Sequence, residues 1–157
     1  MAPSVGKIAE LLINAGKVTW TSDKSEYYRK EKDGSTTFDY TTGNWRYNDN
    51  FFGGEPFAGR EVVFFKGKAV WMNLYYGWVE KEVTNFGQVY EVLKKALNAK
   101  NNKFPVRGPK SFKFEKYFYK NSWQGDLARF TGEEKIHQNS KQIYFARYFG
   151  GCVDLRK

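Results

Sequence analysis

The sequence has little cysteine and histidine, and this scarcity excludes several kinds of site. Among 157 residues there is one cysteine, Cys152, and one histidine, His137. Disulfide frameworks and cysteine-cluster metal sites both need several such residues, so we expect neither. There is no run of about 18 apolar residues and no apolar secretory core at the N-terminus, so the sequence predicts a cytoplasmic protein without a membrane-spanning helix.

The chain also lacks the short motifs that mark many enzymes. It contains no P-loop, no dinucleotide-binding fingerprint and no H-E-x-x-H pair. A lone histidine is more often a surface residue than a catalytic base, and no pattern supports a nucleophile pair of Cys152 and His137. We therefore expect a binding protein with no cofactor and no metal, rather than an enzyme.

Apolar and aromatic residues are abundant enough for a folded core. They make up 41% and 19% of the chain, against 27% charged residues. Such a composition excludes disorder of the whole chain. The length fits a single domain, residues 1–157.

Positive charge is concentrated in the second half of the chain. The net charge is +9, and residues 79–157 carry 16 basic against 8 acidic groups, or +8. Residues 94–120 form a basic stripe, which contains one acidic residue, Glu115. Such a stripe either attracts polyanions or keeps the surface soluble.

Two segments of the chain align without gaps at a shift of 73 residues. Residues 57–77 and 130–150 share identical residues at six pairs of positions, among them Gly59 with Gly132 and Glu61 with Glu134. Each copy reads as a β-hairpin, with turns at residues 66–67 and 139–140. Simple alternation then places the two glutamates on an apolar face, and places Trp71 and its match Tyr144 on the opposite, wetter face.

A helix precedes each hairpin, which extends the repeat to whole halves. Apolar spacing predicts helices over residues 4–15 and 84–100, with Ser4 as N-cap and Gly16 as the stop of the first, and with Asn85 or Thr84 capping the second. Further strands are predicted over residues 27–32, 35–40, 45–52, 112–119 and 125–130, with an irregular connector over 101–110. The fold class is therefore α+β. It consists of duplicated helix-then-antiparallel-strand halves, residues 4–79 and 84–153, that share one core with pseudo-twofold symmetry.

Residues 47–77 carry a family resemblance. They read Y-N-D-N-F-F-G-G-E-P-F-A-G-R-E-V-V-F-F-K-G-K-A-V-W-M-N-L-Y-Y-G. This stretch resembles an uncharacterised bacterial and archaeal domain family of about 140 residues. That family's pattern is Y-x-D-x-Y-F-G-G-x-x-F-x-G-E-E-V-V-x-x-x-G-K-P-V-W-x-M-N-Y-Y-G. Arg60 and Ala69 depart from the pattern, at positions where an acid and proline are usual. The resemblance implies no catalytic residue; because some members are fused to helix-turn-helix modules, it implies a regulatory role by association.

The leading hypothesis is an aromatic cleft between the halves that binds a small molecule or a protein partner. A cleft lined by aromatic side chains with a few polar groups is a common place for a planar ligand. The predicted contact residues are Trp71, Tyr75, Tyr144 and Tyr148, with Glu61 and Glu134 as polar anchors. Their alternative role is to form the core beneath the helices. For Glu134, an ion pair with Arg147 across the hairpin is expected.

Two other functions stay open at this stage. Sheet aromatics beside the basic stripe would suit nucleic-acid binding, since bases stack on rings while basic groups hold phosphates. The residues of that interface are Lys94, Lys95, Lys103, Arg107, Lys110, Lys113, Lys116 and Lys120. A hydrolase would instead use Glu61 and Glu134 as paired carboxylates. Whatever its function, the chain is expected to be a monomer or a homodimer.

Overall fold

The chain forms a single large antiparallel sheet with helices on one side. The computed structural model describes residues 3–19 and 25–155, and within these residues there are two α-helices and nine β-strands. The helices are α1 (Val5–Val18) and α2 (Phe86–Asn98). The strands are β1 (Tyr28–Lys30), β2 (Thr36–Thr42), β3 (Trp45–Phe52), β4 (Phe57–Phe65), β5 (Lys68–Val79), β6 (Ser111–Phe114), β7 (Tyr117–Asp126), β8 (Arg129–Gln138) and β9 (Lys141–Cys152).

The two halves of the chain continue one sheet. The strand order is β1-β2-β3-β4-β5-β9-β8-β7-β6, so β1–β5 and β6–β9 each form a meander and meet where β5 pairs with β9. At the middle of this junction Tyr75 lies opposite Tyr148, the residue 73 positions further along the chain. The mixed α and β architecture agrees with the α+β class expected from the sequence.

The helices form where the sequence predicts them, with different ends. The first helix continues to Val18, so Gly16 does not end it. Ser4 makes no side-chain cap hydrogen bond. At the second helix the cap is as predicted, because Asn85 Oδ1 accepts a hydrogen bond from the backbone N–H of Gln88.

The predicted hairpin turns are confirmed, and two predicted strands are wrong. Asn139 and Ser140 both have positive φ, as two-residue hairpin turns require. The strand predicted over residues 112–119 is divided between β6 and β7 by a turn at Glu115, which has a φ of 53°. The strand predicted over 125–130 is instead the end of β7, a turn at Leu127, and the start of β8.

A β-bulge overturns the predicted assignment of side chains to faces. The pairing of β4 with β5 shifts between Val63 and Phe64, so Val63 lies opposite Trp71 and not opposite Val70. The extra residue moves every later side chain of β5 to the other face. The pairing of β8 with β9 shifts in the same way between Ile136 and His137. As a result Glu61 and Trp71, which simple alternation separates, lie on the same face.

Both helices pack on the same face of the sheet, here called the covered face. Ile8, Leu11 and Leu12 of α1 pack against a cluster that includes Trp71 and Tyr148. The buried residues of α2 pack against a second cluster, which includes Tyr119, Ile136 and Tyr144. The connector over residues 101–110 lies on this face too, since its Phe104 belongs to the α1 cluster. Neither described helix has the length and apolar composition needed to cross a membrane.

Candidate functional site

The six residues predicted to line a ligand cleft come together on the covered face, but they are buried there. Trp71, Tyr144 and Glu134 are 0% exposed, and the other three are between 1% and 5% exposed. These three are Tyr75, Tyr148 and Glu61. The residues therefore form part of the interior, and a ligand would reach them only after the elements above them moved.

Glu134 is the centre of one buried hydrogen-bond cluster. Its Oε1 atom accepts from Arg107 Nη2 at 2.5 Å and from the Tyr144 hydroxyl at 2.8 Å. Its Oε2 atom accepts from the Tyr119 hydroxyl at 2.7 Å. Burial disfavours the charged guanidinium, but the Glu134 carboxylate outweighs this effect and raises the pKa of Arg107. The predicted ion pair of Glu134 with Arg147 is wrong, because Arg147 is exposed on the other side of the sheet. Its Nη2 atom lies 3.6 Å from Oε2 of Glu133.

Glu61 occupies the corresponding place in the first half, with different partners. It accepts hydrogen bonds from the Tyr47 hydroxyl and from Asn73 Nδ2, both at 2.6 Å. Beside it, Asp49 Oδ1 accepts from the Tyr75 hydroxyl at 2.6 Å. The register of the second half has the same two links, Tyr119 with Glu134 and Tyr148 with Asn121. Asn121 thus stands where the first half has Asp49.

The cluster around Glu61 is less completely paired than the one around Glu134. Asp49 Oδ2 and Asn73 Oδ1 are buried with no hydrogen-bond partner among the described residues. Burial, followed by the nearby Glu61 carboxylate, raises the pKa of Asp49 well above its usual value. Burial also lowers the pKa of Lys100, despite the opposing effect of Glu61. The structure therefore favours a protonated Asp49 in the interior.

This geometry bears on the hydrolase alternative. General acid–base catalysis needs carboxylates within reach of a substrate. Glu61 and Glu134 are 3% and 0% exposed, and each is held by side chains of the protein. The two carboxylates stabilise the interior as they stand, and their use in hydrolysis stays a prediction.

The basic stripe does not form one surface. Arg107 lies in the interior on Glu134, and Lys95 lies over the Phe114 ring at 4.7 Å. Three of the other lysines project from α2, the connector or the β6–β7 turn; these are Lys94, Lys103 and Lys116. Lys110 lies over the Trp123 ring at 5.7 Å. The strand register places only Lys113 and Lys120 on the face that the helices leave open.

That uncovered side of the sheet, here called the open face, exposes aromatic side chains on its two middle strands. Tyr76 on β5 is 49% exposed and Phe149 on β9 is 57% exposed. On the same two strands the register places Leu74 opposite Phe149 and Trp78 opposite Phe145. The ring centroids of Trp78 and Phe145 are 4.9 Å apart. Clustered exposed apolar side chains mark interaction surfaces more often than isolated ones do. We call these five side chains the aromatic belt.

Basic side chains surround the aromatic belt. Lys135 and Arg147 both lie over the Phe145 ring, at 5.6 and 5.7 Å from its centroid. Farther out, Lys120 lies over Phe118 at 5.3 Å. The carboxylate of Glu133 bonds Lys135, and this contact lowers the pKa of Glu133. The rings thus hold the stems of basic side chains against the sheet while the charged groups stay near solvent.

A groove deepens one end of the open face. It has a volume of about 690 Å³ and is lined by Met72 and Leu74 of β5, Phe149 of β9, Arg129 of β8 and Leu155 of the C-terminal segment. Volumes of about 300–1,000 Å³ are typical of sites for small molecules. The groove combines apolar walls with two charged side chains, those of Arg129 and Asp126.

His137 also belongs to the open face, where the register places it opposite Phe118. Burial, then the nearby charges of Lys120 and Lys135, lower its pKa below the usual 6.5. The imidazole is therefore neutral at physiological pH and adds nothing to the positive charge of this face.

Sequence reasoning did not identify the aromatic belt, and it placed Arg107 on the nucleic-acid interface rather than beside Glu134. A signal for the belt was present, because residues 74, 76 and 78 and residues 145, 147 and 149 alternate along their strands. The bulge concealed which alternating set faces outward. No local pattern identified the partner of Glu134, since Arg107 lies 27 positions away in an irregular connector.

The comparisons with known proteins place the chain in a family. The model of the family described as Domain of unknown function (DUF5680) matches residues 49–153, and the chain belongs to this family. The matched segment contains the aromatic belt, Glu61, Glu134 and Arg107. No curated protein and no solved structure matches the chain.

Proposed function

We propose that this member of the DUF5680 family binds single-stranded nucleic acid on the open face of its sheet. The observation that carries the proposal is the aromatic belt, in which Tyr76 and Phe149 are each about half exposed among basic side chains. Proteins that bind single strands combine rings on which bases stack with basic groups that hold phosphates. The open face supplies both kinds of group on one surface.

The charge of the open face favours a polyanion as partner. Strand register assigns eight basic residues to this face, Arg29, Arg46, Arg60, Lys113, Lys120, Arg129, Lys135 and Arg147. It assigns three acidic residues, Asp39, Asp126 and Glu133. The balance is 8 − 3 = +5 within the strands. A positive surface of this kind speeds encounter with nucleic acid and makes affinity fall as salt rises.

The shape of the surface favours a single strand over a duplex. A broad sheet is too wide for the grooves of a duplex, whereas splayed bases can lie flat on exposed rings. Strands β3 to β7 are six adjacent strands of the sheet. Their five spacings of about 4.8 Å give a width of about 24 Å. That width corresponds to a site of a few nucleotides. The 690 Å³ groove beside Phe149 has room for one base, and Arg129, which lines it together with Asp126, would contact the phosphate.

We also propose that the two halves are repeats of one ancestral unit with pseudo-twofold symmetry. Three features support this proposal. The bulges after Val63 and Ile136 are 73 residues apart, Gly59 and Gly132 each lie opposite a tyrosine, and Tyr75 lies opposite Tyr148. Repetition would explain why the aromatic belt spans the junction between the halves. We also propose that the protein resides in the cytoplasm and has a regulatory role.

We prefer nucleic-acid binding on the open face to ligand binding in the predicted cleft, because the cleft residues are buried. Trp71 and Tyr144 are 0% exposed, so binding there needs a rearrangement that the open face does not. Reorganisation of a packed interior reduces apparent affinity, because only the opened population can bind.

Fluorescence anisotropy with labelled oligonucleotides of about 12 residues tests the proposal. We expect single-stranded DNA or RNA to bind more tightly than duplexes of the same length. The logarithm of the affinity should fall linearly with the logarithm of salt concentration, by about 0.7 for each phosphate contact. The separate variants Tyr76→Ala and Phe149→Ala should weaken binding by about tenfold or more, since stacking contributes about 1–3 kcal/mol per base.

A charge-matched pair of variants supplies the control. Lys113 lies on the open face, whereas Lys103 is exposed on the connector at the covered side. Lys113→Glu should therefore weaken binding several-fold more than Lys103→Glu, although both change the net charge equally. Equal losses, or equal affinity for duplexes, would contradict the proposal.

Sedimentation equilibrium distinguishes nucleic-acid binding on the open face from dimer formation through the same face. If the open face joins two copies of the chain, Phe149→Ala will convert a dimer into a monomer without changing affinity for oligonucleotides. That result would replace the nucleic-acid proposal with a homodimer interface.

A further inference from the structure

A small apolar cavity lies on the covered side, away from the aromatic belt. It has a volume of about 160 Å³ and lies between α2 and the loop that joins β3 to β4. Its walls are the rings of Phe51, Phe57 and Tyr90, the side chains of Leu93 and Leu97, and Arg107, with Gly53 and Gly54 at the loop. Both glycines are exposed, so the loop side of the cavity adjoins solvent.

The polar groups at the edge of this cavity already have partners. The Tyr90 hydroxyl donates to the Glu55 carboxylate, which also accepts from the backbone N–H of Val79. Arg107 donates to Glu134 through Nε and Nη2. Its third nitrogen, Nη1, has no acceptor among the described residues. The cavity therefore offers three aromatic walls, two leucines and one hydrogen-bond donor.

These features restrict the size of a ligand. An engineered protein cavity of about 150 Å³ lined by apolar side chains holds one benzene molecule. At about 160 Å³ this cavity has room for one six-membered ring. The rings of Phe51, Phe57 and Tyr90 favour a planar guest, because aromatic pairs gain energy from offset or edge-to-face contacts.

The charges near the cavity restrict the guest further. Arg107 is neutralised by Glu134, so an anionic guest would find no unpaired positive charge and a cationic guest would lie against the guanidinium. An uncharged guest avoids both costs. A hydroxyl or carbonyl oxygen on the ring would accept a hydrogen bond from Arg107 Nη1.

We propose that this cavity binds an uncharged single-ring aromatic compound that carries one hydrogen-bond acceptor, of the size and polarity of phenol. The proposal is independent of nucleic-acid binding, because the cavity and the aromatic belt lie on opposite faces of the sheet. A ligand in this cavity would bind on the covered side without displacing the hydrogen-bond clusters around Glu61 and Glu134.

Methyl-labelled NMR spectroscopy of the whole chain tests this proposal with four probes, namely phenol, benzene, benzoate and benzylammonium. We expect nuclear Overhauser contacts from phenol protons to the methyl groups of Leu93 and Leu97. We expect the affinity for phenol to exceed that for benzoate and benzylammonium by about tenfold or more, since both ions would lose hydration without a partner. Benzene should bind more weakly than phenol by several-fold, because it makes no hydrogen bond to Arg107.

A cavity-filling variant and a matched control complete the test. Leu97→Phe adds volume inside the cavity and should weaken phenol binding by about tenfold or more. Asn98→Leu adds an apolar side chain to the exposed side of the same helix and should leave the affinity within about twofold. Unchanged binding in Leu97→Phe, an absence of contacts to Leu93 and Leu97 in the wild type, or stronger binding of either ion would overturn the proposal.

The same samples keep this proposal separate from the function of the open face. Leu97→Phe should retain oligonucleotide affinity, and Phe149→Ala should retain phenol affinity. Loss of both activities in either variant would show that the two sites are not independent and would overturn the placement of the ligand.

Discussion

The two faces of the sheet carry similar side chains, which are buried on the covered face and exposed on the open face. On the covered face Tyr144 is 0% exposed and its hydroxyl donates to Glu134, while on the open face Tyr76 is 49% exposed. Arg107 is likewise buried against a carboxylate, whereas Arg147 lies in the open over the Phe145 ring. The covered face is fixed by its own partners, and the open face is available for a partner from outside.

The difference follows from the cost of burying polar groups. A buried hydroxyl or charge without a partner loses its hydration and destabilises the fold, so the covered face needs a partner for almost every polar atom. Side chains on the open face are hydrated and carry no such requirement. Function that depends on contact with another molecule is therefore easier to place on the open face.

The two halves of the covered face also differ from each other. Glu134 has a cationic partner in Arg107, whereas Glu61 is held by neutral donors and lies beside Asp49. The connector after α2 delivers Arg107 to one half only. The half around Glu61 is thus the one whose stability should depend on the protonation of an acid.

The largest effect is expected from removal of the buried guanidinium. Arg107→Met leaves the Glu134 carboxylate buried without its charge partner, which should lower the free energy of unfolding by about 3–5 kcal/mol. Arg147→Met, on the open face, should change it by less than about 0.5 kcal/mol. Urea unfolding of the two variants measures the difference. Similar losses in both would show that burial does not distinguish the faces.

The next effect comes from crowding on the covered face. A Cβ on Gly132 would lie 2.3 Å from the Tyr148 ring, so Gly132→Ala must displace that ring and its hydrogen bond to Asn121. Overpacking of this kind typically costs about 1–3 kcal/mol. The neighbouring Thr131→Ala, on the open face, serves as the control in thermal unfolding. Equal stability of the two variants would refute the close approach of Tyr148.

A third prediction concerns pH and the difference between the halves. Because the pKa of Asp49 is raised in the folded protein by burial and then by Glu61, the folded state holds this proton more tightly than the unfolded chain does. The resulting stability is fully present below the unfolded pKa of about 3.8 and is lost as pH rises toward the folded pKa.

Asp49→Asn, which reproduces the amide of Asn121, should remove this part of the pH dependence. The variant should gain stability relative to the wild type as pH rises from about 4 to 8, while the two should converge in acid. Denaturant unfolding of both proteins at a series of pH values measures this difference in stability. Identical pH profiles would mean that Asp49 does not hold a proton in the folded state.

The smallest effect on stability is expected on the aromatic belt. Tyr76→Ala should reduce the free energy of unfolding by less than about 1 kcal/mol, since cross-strand pairs on a solvent-exposed face contribute about 0.2–1 kcal/mol. The same variant is expected to lose about tenfold in affinity for single strands. A large loss of stability together with lost binding would indicate that Tyr76 supports the fold rather than a partner.

Much of the fold could be predicted from local patterns. Strand β3 was predicted with its observed ends, and the turns at Lys66 and at Asn139 were found because their residues accept two-residue hairpin geometry. The cap at Asn85 was found for a similar local reason. The helix ends and the strand over residues 125–130 were wrong, since packing and hairpin pairing extend elements beyond their local signals.

The candidate site was less predictable than the fold. The six predicted cleft residues do lie together, because their strands are neighbours in the sheet and their side chains lie on the same face. Their burial was not visible in the sequence, because it depends on which face the helices cover. The position of Glu61 relative to Trp71 depended on one extra residue in a bulge, and no residue type at that place predicts a bulge.

The sequence by itself determined the alternation of helices and hairpins, the similarity of residues 57–77 to residues 130–150 and the excess of basic groups. These features depend on neighbours along the chain, so local propensity is sufficient to specify them. Only the tertiary structure decided that both helices cover one face, that Arg107 is enclosed with Glu134, and that Tyr76 and Phe149 are left exposed. The reason is physical: burial and pairing across the sheet are set by contacts between residues far apart in sequence, where a single bulge reverses the face of every side chain that follows.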